Sequence, residues 1–393
     1  MFSSRVPKDL AANRLAAVVA ARRSEGRAIL DLTLSNPTRA GFEYPPALLA
    51  PLGDPRALRY DPNALGLDAA REAIAEDYRR QGLRVLPNQI VLTASTSDAY
   101  SVIFKLLCDA GDEVLLPRPS YPLFDHLTRL DVVTSVAYDL DSHGGWMIDF
   151  DSLERAVTPR ARAVLAVSPN NPTGSFVGTD ELDRLAAFCA RRVIALIVDE
   201  VFCDYELEPG AAGSAGRPVV RDDVLSFSLG GLSKSIGLPQ VKLGWMAVGG
   251  PPVQVQAALE RLELIGDTYL AVSTPVQLAC PSLMAAGAAI RAQISARIVD
   301  NYRVLHTAIA RAPACRVLRA AGGWYAVIQV PTLESEEALV LRLLDAGVLI
   351  HPGYFFDFAR ESFLVTSLLP EPATFADGID RIARHFASTE STS

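Results

Sequence analysis

Between roughly residues 90 and 250 the chain alternates short apolar runs with helix-like stretches, and this alternation decides its fold class. The runs 90–94, 113–117, 134–138, 163–168, 194–199, 224–228 and 244–249 read as strands. Several are apolar almost throughout, as strands are when helices cover both faces of a mainly parallel sheet. Helical stretches such as 97–107 and 180–191 separate them. The expected architecture is α/β: a large domain with a mainly parallel seven-stranded sheet flanked by helices, plus a smaller α+β domain. After Cys280 the pattern changes to a long helix (282–310), strand-like runs at 316–319, 323–330, 347–351 and 362–368, and helices at 335–345 and 373–386, with Ser335 as an N-cap. At 393 residues two domains are the natural division. The boundaries expected are 46–285 for the large domain and 286–393 for the small one. Residues 1–45 form an arm that packs on the small domain, because one helix cannot stand alone. The polar tail from Ala387 is expected to fray, and 209–218 reads as a surface loop.

The charge balance narrows the partners. A net charge of −8 argues against a nucleic-acid backbone and against an anionic membrane surface. The cysteines Cys108, Cys189, Cys203, Cys280 and Cys315 are odd in number and form no C-x-x-C pair, which suits free thiols in a reducing compartment and no metal site. The apolar stretch near the N-terminus is bracketed by Arg14, Arg22 and Arg23 and reads as an amphipathic helix, not a signal peptide. No apolar run reaches about 18 residues, so no membrane span is expected. The expected location is cytoplasmic.

Lysine is scarce: only Lys8, Lys105, Lys234 and Lys242 stand among 37 basic side chains. Lys234 follows a strand-like stretch that ends in a turn with two glycines, in Ser228-Leu229-Gly230-Gly231-Leu232-Ser233-Lys234. An amine can lose its proton and attack a carbonyl, which a guanidinium effectively cannot. In open α/β sheets ligands collect beyond the carboxyl ends of strands, and four more polar motifs fall at such ends. Ser95 and Thr96 open a helix, where free N–H groups favour an anion, although an ordinary N-cap looks the same. Tyr121 lies between prolines and is placed either to stack on a planar ring or to pack on the core. Ser168-Pro169-Asn170-Asn171-Pro172-Thr173-Gly174 fixes a turn and aims an amide into the crevice. Asp199 and Glu200 end a buried apolar run; such a carboxylate needs a cation, either a protonated pyridine nitrogen or an internal arginine.

Order and spacing of these motifs resemble the class I/II aminotransferase family, fold-type I enzymes dependent on pyridoxal 5′-phosphate. The resemblance runs from about Leu30 to the last helix, and the Ser168–Gly174 string and the segment from Ser233 to Trp245 are its specific parts. It implies amino transfer from an amino acid to a 2-oxo acid through a Lys234 aldimine, with Lys234 then moving the substrate proton. It further implies that Asp199 pairs with the ring nitrogen, Asn171 with the ring 3′-oxygen, and that Tyr121 stacks on the ring. Ser95, Thr96 and Lys242 would hold the phosphate. Tyr60 would reach the phosphate of a second subunit, making a homodimer with shared active sites, and Ser273 and Thr274 would lie at that interface. Asn36 and Tyr325, the latter in Gly322-Gly323-Trp324-Tyr325, would touch substrate. Trp324, Tyr325 and Phe355 hint at an apolar substrate.

Four positions depart from the family pattern. Lys242 replaces an arginine, Gly231 a serine, and Phe202 a tyrosine; Tyr205 is near that tyrosine's place but out of register. Val365, in Phe363-Leu364-Val365-Thr366-Ser367, stands where the family's arginine grips the substrate carboxylate, a bidentate contact whose loss costs several kcal/mol unless replaced. Arg360 and Arg39 are the substitutes. The departure keeps open a β-eliminating lyase or another non-transaminating pyridoxal enzyme acting on an unusual amine. A non-catalytic cofactor-binding regulator fits less well, because Lys234, Asp199 and Asn171 are retained.

Overall fold

The computed structural model describes residues 2–389 apart from 12, 143, 144 and 361. Helix α1 (Arg14–Ser24) starts at Asn13, whose side-chain oxygen accepts from the Ala16 amide. Strand β1 (Leu30–Asp31) and helix α2 (Asp68–Arg80) follow. The alternating region then runs β2 (Ile90–Thr93), α3 (Thr96–Leu107), β3 (Glu113–Arg118), α4 (Phe124–Leu130), β4 (Thr134–Asp141), β5 (Met147–Ile148), α5 (Phe150–Ala156), β6 (Ala161–Val167), α6 (Thr179–Arg192) and β7 (Ala195–Asp199). It closes with β8 (Ser226–Gly231), the single turn α7 (Leu232–Ser235), β9 (Gly244–Gly249), α8 (Pro252–Tyr269) and α9 (Thr274–Ile309). The C-terminal part holds β10 (Arg316–Val317), β11 (Tyr325–Gln329), α10 (Glu336–Asp345), β12 (Val348–Leu349), β13 (His351–Pro352), β14 (Phe363–Ser367) and α11 (Pro372–Thr389).

One sheet has the order β2-β9-β8-β7-β6-β3-β4-β5. From β8 to β4 all neighbours are parallel; β9 is antiparallel to β2 and β8, and β5 to β4. The seven expected strands are present, and the expected count is corrected to eight among the described residues. The eighth, β5, is a two-residue edge too short to show any alternation. Thr93, Arg118, Val167, Asp199 and Gly231 therefore end their strands along one rim, with the first residue of β9, Gly244, paired to both Thr93 and Gly231.

Successive side chains of each strand go to opposite faces. Leu165, Ile197 and Phe227 pack with Ile103 and Phe104 of α3 and Leu262 of α8. Val164, Leu196 and Val198 pack with Leu185, Phe188 and Cys189 of α6. Each such fully buried side chain contributes about 1.5–3 kcal/mol, so the rim is held on a stiff base.

Gly230 and Gly231, read above as a turn, lie inside β8. A Cβ at Gly230 would come within 2.5 Å of the Trp245 indole across the pair, so the strand passes there only as glycine. Helix α9 starts eight residues earlier than expected and carries Pro281 inside it; Ala279, Cys280 and Leu283 around the proline are buried, and their packing holds the helix through the break. Ser335 caps α10 by accepting from the Ala338 amide, and α11 continues through Thr389, three residues into the tail expected to fray; residues 390–393 lie outside the described residues.

A second sheet, β10-β11-β14-β13, is antiparallel, and β1 pairs in parallel with β12 while α1 packs on α10. Cys108, Cys189, Cys203 and Cys280 are free thiols. No single helix among the described residues is long and apolar enough to cross a membrane; α8 and α9 reach that measure only as a pair bent by 119°. Helix α9 spends its apolar residues Ile290, Ile294, Ile298 and Leu305 on the core.

Candidate active site

Lys234 lies in α7, directly beyond the carboxyl end of β8. Its turn is clamped from three distant elements. The Tyr205 hydroxyl donates to the Lys234 carbonyl, Arg291 Nε to the Ser235 carbonyl at 2.8 Å, and the Tyr44 hydroxyl to the Gly237 carbonyl at 2.7 Å. Tyr205 is thereby spent on the lysine's backbone. The Lys234 amine sits 5.0 Å from the Trp324 ring and 5.5 Å from the Phe202 ring. Trp324 is fully buried between Phe202 and Tyr205, so it forms a floor beneath the amine and not an open pocket wall. Burial pushes the Lys234 pKa down to about 8, against the pull of the Asp199 charge. Such an amine has an appreciable neutral fraction near physiological pH, far more than an ordinary lysine, and that fraction can attack a carbonyl.

The two carboxylates at the end of β7 have different partners. Glu200 forms a buried ion pair with Arg217, Nε to Oε1 at 2.8 Å. Asp199 has no arginine. Its Oδ2 accepts from the Tyr100 hydroxyl at 2.7 Å and its Oδ1 from the Val201 amide at 3.1 Å. Burial raises its pKa, and the two donors and the Lys234 charge work against that. The internal-arginine alternative therefore applies to Glu200, and Asp199 is a buried carboxylate without a side-chain cation bound to it.

Ser95 caps α3, accepting from the Asp98 amide at 3.1 Å, while Asp98 accepts from the Ala94 amide at 2.9 Å. The amides of Thr96 and Ser97 have no acceptor among the described residues. A Cβ at Gly244 would stand 2.8 Å from the Ser95 carbonyl carbon and 3.0 Å from the Thr96 nitrogen. The first turn of α3 thus rests on the bare backbone of β9, with Thr96 beside Gly231. A Cβ at Gly231 would itself meet Gly244 Cα at 3.3 Å, which leaves little room for the family's serine.

The asparagines of the Ser168–Gly174 loop divide their roles. Asn170 closes the turn, accepting from the Thr173 hydroxyl at 3.0 Å. Asn171 is buried, and its side-chain oxygen has no partner among the described residues. Tyr121 is 38 % exposed and meets Phe124 edge-on at 5.8 Å. Burial raises its pKa, and the charge on Asp199 adds to the rise, so the two share one crevice.

At the mouth, burial raises the Tyr325 pKa to about 12; Ser35 hydrogen-bonds to it, and Tyr121 is near enough to add to the shift. Asn36 is exposed and its oxygen accepts from the Thr38 amide and hydroxyl at 3.0 and 2.8 Å, so Ser35, its neighbour, makes the contact with Tyr325. Val365 is fully buried among Trp146, Val327, Phe356 and Phe363. Arg360 is exposed, its guanidinium 5.7 Å from the Phe363 ring; Arg39 is exposed on its own turn. Lys242 is exposed in a left-handed conformation two residues before Gly244. Tyr60 is 75 % exposed and lines, with Thr93, Asp98, Ser273 and Thr274, a cavity of about 280 Å³.

Lys234, Asp199, Asn171, Tyr121, Ser95 and Thr96 are thus brought to one rim, while Tyr60, Lys242, Asn36 and Arg360 remain at its exposed edges. Tyr100, Ser35 and Arg291 were not singled out in the sequence. Tyr100 carried one signal: it follows Thr96 by four residues, one turn along the same helix face. An amine, a carboxylate lacking a cation, free helix amides, a buried side-chain amide and an aromatic face together fit a phosphorylated pyridine aldehyde.

Comparison with known proteins agrees. The model of the family "Aminotransferase class I and II" matches residues 46–382. The alanine aminotransferase of Mycobacterium tuberculosis is 27 % identical over 376 residues, covering 93 % of this chain and 87 % of that protein. The glutamate–pyruvate aminotransferase AlaA of Escherichia coli is 26 % identical over 370 residues, covering 92 % and 91 %. The solved alanine aminotransferase of Pyrococcus furiosus has the same fold, with a TM-score of 0.88 at 22 % identity over 99 % of this chain and 100 % of that one. A match of this extent places the chain in the class I and II aminotransferase family, whose pyridoxal-phosphate enzymes move an amino group between an amino acid and a 2-oxo acid.

Proposed function

We propose that Lys234 is the lysine that carries pyridoxal phosphate and that Asp199 pairs with its ring nitrogen. The observation supporting this most directly is the buried Asp199 carboxylate, held by neutral donors and without an arginine, next to an amine of lowered pKa. When bound, the cofactor supplies an electron sink for the electrons left when the substrate Cα proton departs. Lys234 Nζ takes that proton and returns it as a general base and acid, a task that suits its pKa of about 8. Asn171 donates its side-chain amide to the ring 3′-oxygen, Tyr121 covers the ring, and the Thr96 and Ser97 amides with the Ser95 hydroxyl hold the phosphate. Lys242 adds positive charge as a point cation where the family has a fork.

The cofactor belongs to a large domain of residues 46–285, and the arm 1–45 with the small domain 286–393 closes the substrate side. Tyr325 and Asn36 line that side. Because Val365 is sealed among apolar side chains, Arg360 is the cation we assign to the substrate carboxylate. The substrates in this reading are small amino acids and their oxo acids, as in the names of the alanine and glutamate–pyruvate relatives. The free thiols Cys108, Cys189, Cys203 and Cys280 support a reducing cytoplasmic setting.

The active form is a homodimer. Tyr60 and Tyr269, both more than half exposed in the single chain, line one cavity with Ser273 and Thr274, and exposed aromatic surface gathered there supports an interface. Tyr60 from one subunit completes the phosphate site of the other. A two-fold dimer with shared sites makes a complementation test possible. Lys234→Ala and Tyr60→Ala homodimers are each impaired in both sites, but their mixed dimer holds one native site. Co-expression should restore about a quarter of wild-type activity, well above the two parents. No recovery in a verified mixed dimer contradicts the shared site.

A further inference from the structure

Tyr100 has a buried hydroxyl that the roles above leave unused. It is 2 % exposed, and its ring is held by Phe104 at 6.2 Å and edge-on by Phe124 at 5.3 Å. Phe124 also meets Tyr121. The hydroxyl donates to Asp199 Oδ2 at 2.7 Å. Among the described residues no cationic side chain hydrogen-bonds or ion-pairs with Asp199. Helix α3 rises about 1.5 Å per residue, so Tyr100 stands about 6 Å along its axis from Thr96. One rigid element therefore carries both the amides that face the phosphate and the donor that faces Asp199.

We propose that Tyr100 is a positioning residue for the cofactor, its hydroxyl holding Asp199 Oδ2 so that the carboxylate stays ionised and aimed at the ring nitrogen. The proposal rests on the reading that Asp199 pairs with that nitrogen. A neutral donor suits the place. An arginine would neutralise the carboxylate and compete with the ring cation; a phenylalanine would leave a buried anion short of a donor. When the Lys234 amine is neutral its charge no longer supports Asp199, and the Tyr100 hydroxyl and the Val201 amide are the donors that remain.

The test compares cofactor-free wild type with Tyr100→Phe, which keeps the ring contacts and removes only the hydroxyl. Each is titrated with pyridoxal phosphate and with its 1-deaza analogue, in which carbon replaces the ring nitrogen, and binding is read by absorbance and fluorescence. Wild type should prefer the natural cofactor by about 100-fold or more, the cost of unpairing a buried charge. Tyr100→Phe should narrow that preference by about tenfold or more, the worth of a hydrogen bond to a charged group, and leave analogue binding nearly unchanged. Equal loss for both ligands, or an unchanged preference, overturns the role of Tyr100 alone. Wild type that binds both ligands equally well overturns the pairing of Asp199 itself. Because the preference is a ratio within one protein, a change in overall stability does not mimic it.

Discussion

Lys234→Ala should lower transamination turnover by at least about 10⁴-fold, the loss expected when a positioned general base is removed, and should leave pyridoxal phosphate bound without a covalent link. The site offers no substitute. Lys105 is hydrogen-bonded to Ser101 and paired with Asp131 at 2.5 Å, and Lys242 is exposed at the edge of the rim. Lys234→Arg should fail as fully, because the guanidinium stays protonated and cannot act as nucleophile or base. The pH dependence has a definite sign. A depressed lysine pKa means that the amine is protonated and inert well below about 8 and neutral above it. Attachment of the cofactor to the cofactor-free enzyme should therefore quicken as pH rises, levelling off above about 8 and not near the 10.5 of an ordinary lysine. Stopped-flow absorbance across that range measures it. Retention of turnover within tenfold in Lys234→Ala contradicts the assignment.

The second large effect is expected at Asp199. Asp199→Ala removes a buried acid at the rim that no arginine among the described residues neutralises, and leaves the ring cation, the Tyr100 hydroxyl and the Val201 amide facing a gap. Breaking one side of a buried charge pair costs about 3–5 kcal/mol, so affinity for pyridoxal phosphate should fall by about two to three and a half orders of magnitude. Turnover should fall further, since an unprotonated ring is a poor electron sink. Saturating cofactor should restore binding without restoring turnover, and that split separates loss of chemistry from loss of affinity. A variant that regains wild-type turnover at high cofactor concentration would show that Asp199 only helps binding.

The parts visible in the sequence were those with local physics. Strands covered on both faces are apolar along their length, so β3, β6 and β7 stood out, and polar motifs just beyond them marked the rim. Ser335 was readable as a cap because serines whose side-chain oxygen accepts from an amide two or three residues on recur at helix starts. What escaped depended on contacts distant in the chain. Gly230 and Gly231 looked like a turn, and only the Trp245 ring lying across them shows why a strand needs glycine there. The long helix was expected to begin at Ser282, just after Pro281, and only the burial of Cys280 and Leu283 shows why α9 runs through the proline. Tyr100 resembled one more core residue of an amphipathic helix, because its partner Asp199 lies 99 positions away. Glu200 and Asp199 were equivalent neighbours until Arg217 took one of them. Arg291, which fixes the lysine turn, carried no local signal at all.

Borohydride reduction of the yellow enzyme followed by peptide mapping tests the central claim most directly. The pyridoxyl group should be fixed to a single side chain, Lys234, with Lys8, Lys105 and Lys242 unmodified. A pyridoxyl group found on any of those three, or on none of the four, contradicts the account.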